Sequence, residues 1–264
     1  MEIRGAVAMI TGGAGGIGEV CARALAAAGA KVAICDILPK QIERVVEEIR
    51  AAGGEAVGVH GNVVKEADQA RFIAQTLKAF EKINIVIPSA GIIRDATLVT
   101  TDRETGKVVR KMSVEQWQQV IDVNLTGTFL TVRESIEAMV NGGWPGLICL
   151  MASINKEGQV GQLNYSATKA AVALMPKILV GEFMLRRIRN IRVVAIAPGY
   201  VNTPILQGMN QEALAALLKD VHLGRLVEPQ EIAACILHCI ENEAINATTI
   251  EVTGGLTYAR SRAK

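Results

Sequence analysis

Seven short runs of β-branched and aliphatic residues recur along this chain, at 6–11, 31–35, 56–60, 83–88, 146–151, 191–197 and 249–252, and the stretches between them carry helical periodicity. That alternation marks βαβ units. The predicted fold class is therefore α/β, a doubly wound seven-stranded parallel sheet with helices on both faces. Most of the runs are apolar throughout, as strands covered on both sides must be. Residues 39–52 show the helical counterpart, with Ile42, Val45, Val46 and Ile49 on one stripe and Glu43, Arg44, Glu47 and Glu48 on the wet side. No repeat, low-complexity tract or Pro/Ser-rich linker divides the 264 residues, so 1–264 is read as a single domain.

The first run leads into Thr11-Gly12-Gly13-Ala14-Gly15-Gly16-Ile17-Gly18 and then an alanine-rich helix. Glycines there let a pyrophosphate approach backbone N–H groups, and a helix N-terminus adds unpaired donors and partial positive charge. The string follows a strand and opens a helix, and the next strand ends in Asp36, eighteen residues after Gly18. This is the context of a Rossmann dinucleotide site. A carboxylate at Asp36 suits the two adenosine ribose hydroxyls and repels a 2′-phosphate, and neither Gly15 nor Ile37 supplies a cation for that phosphate, so the expected cofactor is NAD.

Tyr165 and Lys169 lie one helical turn apart on a predicted helix. A phenol with its ordinary pKa of ~10 is a poor base at neutral pH, and making it one takes roughly 4 kcal/mol. An ammonium about 4 Å away at an effective dielectric of ~20 supplies about that much. Ser153 ends the fifth run, at the sheet edge where ligands bind. Asn124 sits inside a long helical stretch where an amide is a poor helix former.

These residues, in this order, closely resemble the short-chain dehydrogenase/reductase family from about residue 3 to residue 256. The resemblance implies Tyr165 as general acid/base, Lys169 as the group that lowers its pKa and binds the nicotinamide ribose, Ser153 as the carbonyl-orienting hydroxyl and Asn124 as support for a water relay. It further implies that Pro198, Gly199, Val201 and Thr203 meet the nicotinamide end and that Asn62 and Val63 lie on the adenine side. Ser89, Ala90 and Gly91 would pass the ribose, with Pro88-Ser89 standing where the family usually has two asparagines. Ser153 and Tyr165 are twelve positions apart, about one fewer than is usual. The run 157–162 resembles the substrate loop of type 10 hydroxysteroid/3-hydroxyacyl-CoA dehydrogenases, which makes Asn155 and Gln159 pocket residues beside Ser153 and Tyr165. Gly224-Arg225-Leu226 and Gly254-Gly255 match a C-terminal region concerned with architecture and assembly, and the resemblance implies a homotetramer or dimer.

The expected activity is thus NAD-dependent interconversion of a secondary alcohol and a ketone, without metal or covalent intermediate. A reductase of 3-oxoacyl thioesters using NADPH and a non-catalytic nucleotide-binding protein stand as alternatives. A formal charge of +2 offers no field for nucleic acid or membrane, so a small-molecule partner is expected. Five scattered cysteines and the lack of an export signal or a span-length apolar run point to a cytoplasmic protein. Three features stay open. Cys235, His238 and Cys239 are buried helix thiols or metal ligands. Arg186, Arg187, Arg189 and Arg192 are a solvated helix end or a site for CoA phosphate. Residues 94–112 form a hairpin insertion, either tolerated on the surface or acting as a flap or interface arm. Together with 154–163 and 205–222, that insertion is expected to set specificity.

Overall fold

The computed structural model describes residues 1–203, Leu206 and residues 210–256. The C-terminal residues Arg260, Arg262 and Lys264 and part of the 205–222 loop lie outside the described residues. In chain order the first half comprises β1 (Val7–Thr11), α1 (Gly16–Ala27), β2 (Lys31–Asp36), α2 (Pro39–Ala51), β3 (Glu55–His60), α3 (Glu66–Phe80) and β4 (Ile85–Pro88). A hairpin of β5 (Val99–Thr101) and β6 (Val108–Lys111) follows, then α4 (Val114–Ile121), α5 (Gly127–Gly142), β7 (Gly146–Met151) and α6 (Leu163–Arg186). The chain continues through β8 (Ile191–Pro198), α7 (Gln211–Leu218), α8 (Pro229–Glu241) and β9 (Thr248–Val252).

The main sheet has seven strands in the order β3-β2-β1-β4-β7-β8-β9, and every pairing in it is parallel. The expected α/β architecture is therefore present. Side chains alternate across the sheet as a period of two demands. Ala8, Ile10, Val32 and Ile34 pack on one side with Cys21 and Leu25 of α1, Val45 of α2 and Ile236 of α8. Met9, Ala33, Val86 and Ile148 face the other side, against Phe72 of α3, Val132 of α5, and Val172 and Phe183 of α6. The strand order reverses between β1 and β4, which opens a crevice above their C-terminal ends.

Local chemistry fixes several element ends. Ser113 caps α4 in a capping box with Gln116, and Glu228 does the same for α8 with Glu231, ahead of Pro229 in the first turn. Arg192 on β8 donates to the carbonyls of Cys239, Ile240, Asn242 and Ile245, so its guanidinium closes the C-terminal end of α8. Burial holds its pKa below the usual arginine value. Arg192 is thus a half-buried closure of the α8 end. On the opposite flank, Glu19 of α1 takes hydrogen bonds from both Arg23 and Arg44, which also reach Glu48.

The hairpin pairs antiparallel in a two-stranded sheet of its own. Val108 and Val109 are 54% and 64% exposed, so it stands off the core. All five cysteines are free. Among the described residues no three His, Cys, Asp or Glu side chains converge as a metal site requires, and no helix is long and apolar enough to cross a membrane.

Candidate active site

The crevice at the strand-order reversal is a cleft of about 960 Å³. Its floor at one end is the turn from β1 into α1. Gly12 adopts φ +64°, and a Cβ there would lie 2.8 Å from the backbone of Ala90. A Cβ on Gly18 would collide with the carbonyl oxygen of Gly12. Gly15 and Gly16, by contrast, face open space, and Gly16 sits at φ +52°. No side chain caps α1, so its first N–H groups point into the cleft as an anion site. The glycines thus divide into two kinds: Gly12 and Gly18 allow close packing, while Gly15 and Gly16 leave room for a phosphate.

Asp36, at the end of β2, lines the same end of the cleft. Its Oδ2 accepts from the Ala14 N–H at 3.2 Å, and its Oδ1 accepts from Ile37 and Leu38 at 2.7 and 3.2 Å. These bonds hold the carboxylate beside the glycine turn, the position a ribose-binding acid needs. Ile17, Ser89, Ala90, Gly91, Pro198, Gly199, Val201 and Thr203 also line the cleft, as expected. Asn62 and Val63 do not. Asn62 instead ties down its own turn, its N–H donating to Asp68 and its Oδ1 accepting from Val64, while Val63 is buried against Gly127.

Pro88 closes β4 opposite Thr11 of β1, and the Ser89 N–H donates to the Thr11 carbonyl at 3.1 Å. The Ala90 N–H reaches the Thr11 hydroxyl at 3.5 Å. The bracing between these strands is therefore carried by the backbone and Thr11.

The chemical groups gather at the other end. Ser153, 8% exposed, follows β7, and its Oγ accepts from the Asn155 N–H at 3.2 Å. Tyr165 and Lys169 rise from the first turns of α6, and both line the cleft with Ser153. Burial pushes the Tyr165 phenol above its usual pKa, a hydrogen bond with Ser153 opposes that shift, and the Asp95 carboxylate adds to it. Lys169 is 6% exposed, and burial lowers its pKa to about 8. Its Nζ donates to the Met151 carbonyl at 2.7 Å and lies over the Tyr165 ring, 5.4 Å from the centroid. Here the expected electrostatics need correction. The amine hydrogen-bonds a carbonyl rather than the phenol oxygen, and burial, the largest influence on Tyr165, holds its pKa above the usual phenol value.

Asn124 is fully buried and occupies a π-helical turn, Asp122–Thr126, between α4 and α5. Such turns frequently sit at functional sites. Its Oδ1 accepts from the Ile92 N–H at 2.8 Å and its Nδ2 donates to the Ile92 carbonyl at 2.9 Å. Asn124 therefore does not line the cleft; it braces the segment after β4 that does. Replacing it by Ala leaves both Ile92 groups without their partner. Asn124→Ala is expected to cost about 2 kcal/mol, seen as a lower midpoint in urea unfolding at unchanged slope.

On the substrate side, Asn155 and Gln159 line the cleft as expected. Sequence reasoning missed Asp95 and Gln162, which line it too. Their pairing joins residues far apart in the chain, and no local pattern marks it.

A Rossmann sheet with a glycine cradle, a ribose-side acid and a buried Ser/Tyr/Lys group defines a nicotinamide-dependent oxidoreductase class. The family model for short chain dehydrogenases matches residues 6–214. The 3-oxoacyl-[acyl-carrier-protein] reductase FabG of Aquifex aeolicus is 32% identical over 259 residues, covering 97% of this chain and 99% of that protein. The 2,5-dichloro-2,5-cyclohexadiene-1,4-diol dehydrogenase LinX of Sphingobium indicum is 33% identical, over 96% and 97% of the two chains. Human (3R)-3-hydroxyacyl-CoA dehydrogenase is 32% identical, over 97% of each. The crystal structure of gox2181 shares the fold, with a TM-score of 0.86 at 24% identity over 97% of each chain. The chain belongs to the short chain dehydrogenase family, and its activity is that of an oxidoreductase.

Proposed function

We propose that this chain is an NAD-dependent dehydrogenase that interconverts a secondary alcohol and a ketone. The observation that carries this reading is the placement of the Ser153, Tyr165 and Lys169 group in the same cleft as Asp36 and the open glycine cradle. The cradle fits a dinucleotide because Gly15 and Gly16 leave space for phosphate while α1 presents unpaired N–H groups. When bound, the nicotinamide supplies the hydride acceptor or donor.

The residues of the chain do the rest. Ser153 and Tyr165 present two hydroxyls to the substrate oxygen, one to orient it and one to exchange its proton. In ketone reduction Tyr165 donates, and its raised pKa keeps the proton-bearing form available. In alcohol oxidation it must accept, and a cation beside it assists. Lys169 is placed over the ring to supply that charge once its own burial is compensated. Pro198, Gly199, Val201 and Thr203 hold the nicotinamide end, and Asp36 holds the adenosine ribose.

Asp36 carries the choice of NAD. A 2′-phosphate brought against this carboxylate meets like charge, worth about a hundredfold after screening. Wild type is expected to prefer NAD over NADP by at least about that factor in kcat/KM, and Asp36→Ser with Ile37→Arg is expected to reverse the order. Equal use of both cofactors by wild type overturns the assignment. Several similar proteins bear the name 3-oxoacyl-[acyl-carrier-protein] reductase, which favours a 3-oxoacyl or 3-hydroxyacyl thioester as the substrate within this reaction. The direct test is absorbance of reduced nicotinamide with a panel of secondary alcohols, ketones and acyl thioesters.

The reading includes a homo-oligomer. Leu174, Ile178 and Leu185 of α6 are 60%, 57% and 83% exposed and fall on one stripe with Gly181. A stripe so apolar suits a second copy of the chain, tetramer or dimer.

A further inference from the structure

The geometry points to Asp95 as a specificity-determining residue: its carboxylate, latched through Gln162 to Asn155, sets the substrate half of the cleft to take a compound that is neutral around the reacting carbon and to reject one carrying a carboxylate there. This inference rests on the redox reading above and adds the substrate class. Asp95 stands seven residues beyond the end of β4, outside the groups assigned to the reaction. Its Oδ2 accepts from Gln162 Nε2 at 2.9 Å, and Gln162 Oε1 accepts in turn from Asn155 Nδ2 at 2.6 Å. The backbone runs alongside, with the Ala96 N–H donating to the Gly161 carbonyl at 2.9 Å and Ala96 bridging Gln162 in parallel. Asn164 Nδ2 adds a bond to the Arg94 carbonyl at 3.0 Å. Two segments about 65 residues apart are thereby zipped into one wall of the cleft.

The charges on that wall are one-sided. Of the side chains lining the cleft among the described residues, only Asp36, Asp95 and Lys169 are charged. Asp36 is held at the glycine turn by Ala14, and the Lys169 amine is committed to the Met151 carbonyl. Beside the reacting hydroxyls this leaves a single anion, the exposed Asp95, with no ion-pair partner among the described residues, amid the neutral polar groups of Thr97, Gln159 and Tyr200. The Asp95 charge reaches the phenol of Tyr165, which places it within electrostatic range of the reacting atoms. A substrate carboxylate there meets like charge and finds no arginine, whereas a hydroxyl or amide N–H finds an acceptor in Oδ1. Two unit charges about 7 Å apart at an effective dielectric of ~20 repel by a factor of roughly fifty, which screening reduces to about tenfold.

The test compares a 3-oxo ester with the matching 3-oxo acid, in wild type and in Asp95→Asn, which keeps an acceptor for Gln162. Wild type is expected to favour the ester by at least about tenfold in kcat/KM, and the variant to shrink that ratio to about threefold or less. The Asp95→Asn variant is also expected to move the ascending limb of the alcohol-oxidation pH profile to lower pH, because burial and the Asp95 charge raise the phenol's pKa, the Ser153 hydrogen bond opposes them, and the Lys169 amine over the ring is bonded to the Met151 carbonyl. A purely structural part in the wall leaves that limb in place. Gln162→Leu cuts the latch without touching charge and is expected to raise KM for ester and acid alike. Equal use of ester and acid by wild type, or an unchanged ratio in Asp95→Asn, overturns the inference. If no compound turns over, the redox reading fails, and the inference is then judged by binding to the enzyme–NADH complex, followed by nicotinamide fluorescence. Ester bound at least about tenfold tighter than acid sustains it, and equal binding overturns it.

Discussion

Tyr165→Phe is expected to lower turnover by a factor of about a thousand or more while NAD affinity, read by fluorescence titration, changes by less than about threefold. The substitution keeps the ring, and with it the Lys169 amine seated 5.4 Å from the centroid. It removes only the hydroxyl, the atom that meets Ser153 and the substrate oxygen. The surviving pH dependence is diagnostic. Burial raises the pKa of Tyr165, so at neutral pH the acid form dominates. Ketone reduction in wild type is therefore expected to hold through neutrality and fall on the alkaline side, while alcohol oxidation climbs with pH. In Tyr165→Phe both slopes are expected to vanish together with the rate. Normal turnover by this variant sinks the proposed reaction.

Lys169→Met is expected to do two opposite things: to lower activity by about a hundredfold or more and to make the unliganded protein more stable. Lys169 has a folded pKa of about 8 against an ordinary value of 10.5, and the cause is burial. A depressed pKa means that stability is fully present above the unfolded value and is lost as pH falls through the folded one. Across the window between those values the unfolded chain binds more protons, so wild-type stability rises with pH there. Below the window the buried ammonium costs about 3 kcal/mol. Met fills a similar volume without charge, at the expense of about 1 kcal/mol for the Met151 carbonyl left without its donor. The net gain of about 2 kcal/mol raises Tm by roughly 4–8 °C near neutral pH, and the alkaline rise in stability disappears. Calorimetric melts at two pH values check both halves. A variant that melts below wild type at neutral pH shows that the bond to Met151 outweighs the buried charge.

The two predictions bear on what was legible in the sequence. The seven strands of the main sheet were legible to within two residues, since a strand buried on both faces reads as an uninterrupted apolar run. The exception is instructive: β4 begins at Ile85 rather than Ile83. Asn84, between them, uses its side chain on the Val7 N–H and the Pro145 carbonyl, an anchoring across three strands that no local pattern announces. Tyr165, Lys169 and the glycine turn were legible because their chemistry dictates spacing along one helix or one turn, and Ser153 because it ends an apolar run. The direction of the Lys169 bond was not, because Met151 lies eighteen residues away on β7. Asp95 and Gln162 were invisible for the same reason, as their meeting requires two loops to close on each other. Asn124 was noticed as an amide in the wrong place, but its partner Ile92 emerges only from the fold.

The two flanks of the sheet are fastened by different physics. Beside α1 and α2 the fastening is a lattice of carboxylates and guanidinium groups near the surface, Glu19, Arg23, Arg44 and Glu48, and dissolved ions weaken such attractions. Around β8 and β9 the half-buried guanidinium of Arg192 grips the carbonyls that end α8; those bonds are short and directional. Ionic strength is thus an uneven lever on this molecule: brine loosens the dinucleotide-cradle flank, whereas on the far margin it reaches the ion pairs of the N-terminus with Glu243 and of Lys156 with Glu251 but not the carbonyl grip of Arg192.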